Sequence, residues 1–387
     1  MAISRELPHP SLPGSERGVA PGLRLAAWTT VRLTIALSAA ALTATAAGAE
    51  IFKREDMLRG ITTTRAQCAA TPHTLWLNVD RQDFCVRYYL STAGGEGARP
   101  VVFLQGDYPG TVNVKTWEWI PATKDKNAGV TYDPTEQGDV NADDLMKMAD
   151  AFSRMAKTTA IYLARMGVGG TSGNHVFRKT LLELHLMNSA LDAIKQSYGF
   201  EGFHLAGQSG GSTLVAGLAA TRRDIACAVS GSGRLGKSFE VSSKDPARTM
   251  IDPLGLVPSI SQNRSLRFIM VTDSADHTVP VRQQTPFVEK MRRAGRDIPH
   301  YFVTATDDFH HGVVAYTQLV TAGCVLGKSD ADIVTAVGTL VRRNAAFNGQ
   351  RRKEIALFGK NGTSPPRPPT DSPVPTGRQA RSDGKRA

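Results

Sequence analysis

The chain has 387 residues, 41% apolar and 21% charged, values ordinary for a soluble globular enzyme and enough for one large domain or two small ones. Its net charge of +11 suggests nucleic-acid binding until it is located: residues 342–387 hold eleven Lys/Arg against three Asp/Glu, and the body between the termini is near neutral. A duplex-binding domain needs its basic patch on the fold itself, so nucleic acid is excluded as a partner.

In chain order, the first feature is an export signal. Arg24 and Arg32 precede an apolar, Ala-rich run from Leu33 to Ala47, and Ala47-Gly48-Ala49 supplies the small-x-small pattern for cleavage before Glu50. The run is short and weak for a span of about 20 strongly apolar residues, so no membrane span is expected after cleavage. Residues 1–49 are thus expected to be a leader, and the protein to be periplasmic or secreted. Export changes how Cys68, Cys85, Cys227 and Cys324 read. An even count in an oxidising compartment allows two disulfides, with Cys68–Cys85 and Cys227–Cys324 favoured among three connectivities. Four free, packed thiols are the alternative. No Cys-x-x-Cys occurs and no His sits beside them at ligand spacing, so a zinc site is not expected.

The next segments alternate in character. Phe84–Leu90 has a strand pattern, and Val101–Leu104 is a short, wholly apolar run suited to a strand buried on both faces. A long irregular segment follows to about Gly138. Helices are predicted over Ala142–Lys157, started by Asn141, and over Arg178–Tyr198, closed by Gly199. A strand over Thr159–Leu163 and the glycine-rich loop 167–174 lie between them. Strands are then predicted over Phe203–Ala206, Ile225–Ser230, Leu266–Val271 and His300–Ala305. Helices are predicted over Gly210–Thr221, Val281–Ala294, Gly312–Thr321 and Asp330–Asn344. This alternation predicts an α/β fold with a mostly parallel central sheet and helices on both faces. Such sheets carry their ligand sites at the carboxyl ends of the strands. Residues 50–358 are expected to form one catalytic domain. The basic, Pro-rich residues 359–387 lack the apolar content for a core.

The chemistry starts at Gly207-Gln208-Ser209-Gly210-Gly211. A serine hydroxyl attacks well only beside a base and in an exposed position. Glycines between a strand and a helix permit the sharp turn that presents it. Ser209 is therefore the candidate nucleophile. Ser172 lacks the second flanking glycine, and Ser232 reads as a loop residue near the site. Acid candidates follow the next strands, at Asp276 or Asp273. Base candidates are the adjacent His310 and His311, which spacing alone does not separate. His185 and His204 read as structural, whereas His175 could reach the pocket. An oxyanion needs two backbone donors: Gly210 N–H, and Gly106 or Asp107 N–H from the loop after Val101–Leu104.

With these residues placed, the chain from about Phe84 to Thr321 resembles the α/β-hydrolase superfamily. Its small-lid branch, with prolyl-oligopeptidase-like and dienelactone-hydrolase-like enzymes, is the nearest. The resemblance rests on the Gln-Ser-Gly-Gly elbow, Asp276 before Val279-Pro280, and His311-Gly312, and it implies Asp276 and His311 as acid and base. Gln105-Gly106-Asp107 departs from the His-Gly or glycine run frequent at the oxyanion loop, which leaves open which amide there donates. The segment Gly231–Ser265, broken by Asp252-Pro253 and Pro258, points to a small lid. Trp117 and Trp119 are either a pocket wall or ordinary packing. The resemblance implies acyl-enzyme hydrolysis of a small-molecule or peptide substrate with no metal or organic cofactor; oligomeric state is unread. Carboxylic esters lead. A short-form prolyl-oligopeptidase-like peptidase is the first rival, and a non-catalytic binding protein retaining the fold is the second.

Overall fold

Apolar runs without interruption become interior strands, and amphipathic segments become the helices that cover them. The computed structural model describes residues 50–108, 111–113, 115–120, 139–236 and 243–358; the expected leader 1–49 and tail 359–387 lie outside them. The elements are β1 (Ile51–Phe52), α1 (Arg54–Arg59), α2 (Arg65–Ala70), β2 (Thr74–Val79), β3 (Gln82–Ser91), β4 (Val101–Leu104), β5 (Thr111–Asn113) and β6 (Glu118–Ile120). Then come β7 (Val140–Asn141), α3 (Ala142–Ala156), β8 (Ala160–Leu163), α4 (Leu181–Tyr198), β9 (Phe203–Gln208), α5 (Gly210–Thr221) and β10 (Ile225–Gly231). The last are α6 (Pro253–Gln262), β11 (Arg267–Asp273), α7 (Thr285–Arg293), β12 (His300–Val303), α8 (Val314–Val325) and α9 (Asp330–Phe358).

Eight strands form the main sheet in the order β2-β3-β8-β4-β9-β10-β11-β12. Only β3 runs against the rest, antiparallel to both β2 and β8. The other neighbours pair in parallel. Side-chain alternation divides the core between the two faces. Val102 and Leu104 of β4 join Leu205, Leu214 and Leu191 under α4 and α5, whereas Val101 and Phe103 join Phe152 under α3. A third cluster packs Val229, Ile269 and Val303 against Tyr316 and Val320 of α8 and Ile333 of α9. The expected disulfides both form, Cys68–Cys85 joining α2 to β3 and Cys227–Cys324 joining β10 to α8.

Register brings the site-forming ends level. Leu104 pairs with Gly207, Gly231 with Gln208, and Gly231 again with Val271. The loops after β4, β9, β10 and β11 therefore leave the sheet at one edge, where an open α/β sheet carries its site.

Four expectations need correction. The segment to Gly138 is not wholly irregular, because β5 and β6 pair as a short antiparallel hairpin. Pro258 does not end a helix but lies inside α6, where burial of Val257 and Ile260 offsets the one backbone bond it forgoes. The helix expected from Val281 is divided: Val281–Gln283 is a single 3₁₀ turn, and α7 begins at Thr285 with Pro286 in its first turn. Pro286 has no N–H to bond backward and is tolerated only near a helix start. β2 adds a strand that was not expected: its apolar run Leu75-Trp76-Leu77 is only three residues long and half-buried at the sheet edge.

Candidate active site

Ser209 sits between β9 and α5 at φ 52° and ψ −116°, a conformation a non-glycine residue holds only when its surroundings impose it. Its N–H donates to Gly231 O at 2.8 Å and its carbonyl accepts from Ser212 N at 3.0 Å, so both flanks of the turn are fixed. Gly211 is required by contact: a Cβ there would lie 2.1 Å from Leu104 O and 2.5 Å from Gln105 O. Its absence lets the first turn of α5 press on the end of β4. That brings the following loop to Ser209, with a Cβ built on Gly106 only 3.3 Å from Ser209 Cβ.

Both acid–base pairs considered from the sequence form. His311 Nδ1 meets Asp276 Oδ2 at 2.9 Å, and the other Asp276 oxygen accepts Thr278 N–H (2.9 Å) and Val279 N–H (2.8 Å). His310 Nδ1 meets Asp273 Oδ2 at 2.9 Å, and Asp273 also accepts Ala275 N–H (2.8 Å) and Ala305 N–H (2.7 Å). Their surroundings differ. Gln208 Nε2, on the residue before Ser209, donates to His311 O at 2.6 Å and ties that backbone to β9. His310 instead holds φ 56° and turns its ring edge-on to His277, with centroids 6.0 Å apart. Asp307 secures the same loop by accepting His311 N–H (3.0 Å) and Gly312 N–H (2.6 Å). Gln284, fully buried, bridges Val279 O and Thr272 Oγ1 and braces the acid loop from below.

The loop after β4 carries a feature no local pattern signals. Beyond its amide, Asp107 contributes its side chain. Its carboxylate lies among Arg165 Nη1 (2.9 Å), Arg178 Nε (3.3 Å) and Lys179 Nζ. Behind it, fully buried Arg165 holds fully buried Glu183 through two bonds, Nε–Oε1 at 3.0 Å and Nη2–Oε2 at 2.8 Å. Arg165 Nη1 also donates to Gln105 O at 3.1 Å. Burial pushes the Asp107 carboxyl upward, but Lys179, Arg178 and Arg165 outweigh it and hold it well below the usual carboxylate range. Burial likewise lowers the Lys179 ammonium, with the neighbouring Arg178 and Arg165 adding to the shift against Asp107. The only sequence hint was a charged residue two positions beyond a wholly apolar strand, at Arg165.

His175 does not reach a pocket, contrary to the sequence-based reading. It is fully buried, its Nδ1 bonds Met166 O at 2.9 Å and its Nε2 accepts Tyr108 N–H at 3.2 Å. Burial, then the charges of Arg165 and Arg178, place its pKa well below 6.5, so the ring is neutral. Ser172 is structural, its Oγ accepting Cys85 N–H at 2.8 Å. Ser232 is buried beside the end of β10. Trp117 is buried and packs on Phe177 with centroids 5.6 Å apart, which favours packing over an open pocket wall. The side chain of Trp119 lies outside the described residues. Among the described residues, no group of three or more His, Cys, Asp or Glu gathers as metal ligands do, and no helix is long and apolar enough to cross a membrane.

The strand order, the single reversed strand and the elbow after β9 define an α/β-hydrolase fold. No protein-family model and no curated protein matches the chain. Among solved structures it is similar to the Pyrococcus furiosus esterase Pf2001, at 12% identity over 72% of this chain and 97% of that one, with TM-score 0.45. It is similar to Est1E from Butyrivibrio proteoclasticus with ferulic acid bound, at 13% identity over 65% and 97%, with TM-score 0.41. It is also similar to the Pyrococcus horikoshii acylaminoacyl peptidase, at 10% identity over 68% of this chain and 42% of that one, with TM-score 0.40. Likeness at this level concerns the fold.

Proposed function

We propose that the chain is an exported serine hydrolase that cleaves carboxylic esters through an acyl-enzyme. The observation that carries this reading is the strained Ser209 turn, whose preceding residue bonds the backbone of His311 at 2.6 Å while His311 pairs with Asp276 at 2.9 Å. Asp276 occupies Nδ1, which leaves Nε2 as the nitrogen that takes the Ser209 proton and later returns it to the leaving alkoxide. Buried Asp276 steadies the imidazolium formed between those steps. Gly210 N–H and the amide of Gly106 stabilise the tetrahedral oxyanion. Water then attacks the acyl-enzyme by the same route in reverse. Two disulfides support export to an oxidising compartment.

The test pairs a fluorophosphonate probe with p-nitrophenyl acetate. Ser209→Ala should abolish labelling and lower turnover by about 10⁶-fold, with an unchanged melting temperature. Labelling that persists in this variant would remove Ser209 from the role. A panel of aminoacyl and prolyl amides beside the esters then separates esterase from peptidase, and inertness toward both classes favours a binding protein.

A further inference from the structure

We infer that Arg165, Asp107 and His175 form a positioning device for the oxyanion site, an inference that rests on the serine-hydrolase reading above. Residues 105–108 have no regular secondary structure, so their own ladder does not decide where their N–H groups aim. Instead, side chains from outside grip the loop along its length. Arg165 holds Gln105 O, three cations hold the Asp107 carboxylate, and His175 takes the Tyr108 N–H. The Tyr108 amide is thereby committed to His175 and removed as an oxyanion donor, while Gly106 and Asp107 stay the candidates.

The same carboxylate sets the other half of the site. A Cβ added to Gly210 would lie 1.8 Å from Asp107 Oδ1 and 2.9 Å from Arg165 Nη1, so Asp107 is packed directly on the residue whose N–H is the second donor. One side chain thereby fixes the spacing between the two donors. Glycine at 210 is demanded by this carboxylate, beyond any need of the turn itself.

Placing a carboxylate there carries an electrostatic cost that the network removes. A lone anion beside a developing oxyanion would oppose it, and in a water-poor site the opposition is large. Asp107 instead faces Arg165, Arg178 and Lys179, while Glu183 balances Arg165 from behind. The cations around Asp107 thus offset the charge it would otherwise present to the oxyanion. His175 fits the scheme because a neutral ring keeps the lone pair that receives the Tyr108 N–H.

The experiment compares p-nitrophenyl acetate with its thionoester, whose sulfur gains less from oxyanion donors, in wild type, His175→Phe, His175→Gln and Arg165→Met. His175→Phe keeps bulk and loses the acceptor. Its kcat on the oxoester should fall about 100-fold with KM within about twofold, the size expected when one donor is misplaced. The oxoester-to-thionoester rate ratio should fall about tenfold or more. His175→Gln, which can accept the same N–H, should recover most of both. Arg165→Met should behave as His175→Phe does; if it fails to fold, His175→Phe decides. A folded His175→Phe with an unchanged rate ratio overturns the inference. Wild-type protein without Ser209-dependent turnover overturns the serine-hydrolase reading itself, and the inference with it.

Discussion

The two sides of Ser209 are built on opposite principles. On the side of β4 and β8, the loop is tied back to an ion pair in the interior, Arg165 and Glu183, whose side chains are fully buried, although Asp107 itself is as open as His311. On the side of β11 and β12, buried carboxylates accept backbone N–H groups and hand their second oxygen to histidines that stay partly open, 18% for His311 and 25% for His310. The difference follows from what each side does in the proposed mechanism. Backbone donors must stay still and never titrate, so rigid buried ion pairs suit them. A base must gain and lose a proton, so its ring keeps contact with water while its orientation is fixed by a partner.

The largest expected effect tests the side of β11 and β12. His311→Ala should lower kcat by about 10⁶-fold and Asp276→Asn by about 10⁴-fold, whereas His310→Ala should cost less than about tenfold. Steady-state kinetics on one ester decides it, and a reversed order would exchange the two pairs. A middle-sized effect sharpens the contrast in stability. Glu183→Gln leaves the buried Arg165 guanidinium short of its partner and should cost about 3–5 kcal/mol. Asp307→Asn, in the more open loop, should cost about 1.5 kcal/mol. Guanidinium unfolding of both variants reads the difference, and equal losses would erase the distinction.

The smallest effect is a slope against pH. Burial pushes His204 and His300 down to about 4, and burial followed by nearby arginines takes His175 well below its ordinary 6.5. Above about pH 7.5 these rings are neutral in both states and contribute no slope. As pH falls toward 4, the unfolded chain takes up protons that the fold refuses, so stability drops. Each such ring contributes at most about 1.4 kcal/mol per pH unit. Urea midpoints between pH 7 and 4 should decline, and His300→Gln should flatten the curve; an unaltered slope would mean that ring is not protected.

Much of the fold was legible because its signals are local. Val101–Leu104 and Phe203–Ala206 are apolar runs of strand length, and Asn141 and Gly199 mark helix ends by caps that do form, Asn141 accepting Asp143 N–H at 2.8 Å. The hairpin of β5 and β6, the proline inside α6 and the break before α7 were not legible, because each depends on partners or packing outside its own window. At the site, the Ser209 elbow was readable since its glycines, strand and helix are contiguous. His310 and His311 were not separable, because both find a carboxylate at 2.9 Å, and what differs is tertiary: a bond from Gln208, 103 residues earlier, to His311 O and the edge-on contact of His310 with His277.

The sequence by itself therefore determined seven of the eight main-sheet strands and their alternation with the covering helices, the nucleophile candidate, and the short lists for acid and base, all of which rest on local pattern and spacing along the chain. The tertiary structure alone decided how the loop after β4 is held. Asp107 meets Arg165 across 58 residues and Lys179 across 72, distances over which no sequence pattern extends. Burying such charges is tolerable only when the partners arrive together, and that is a property of the folded sheet edge.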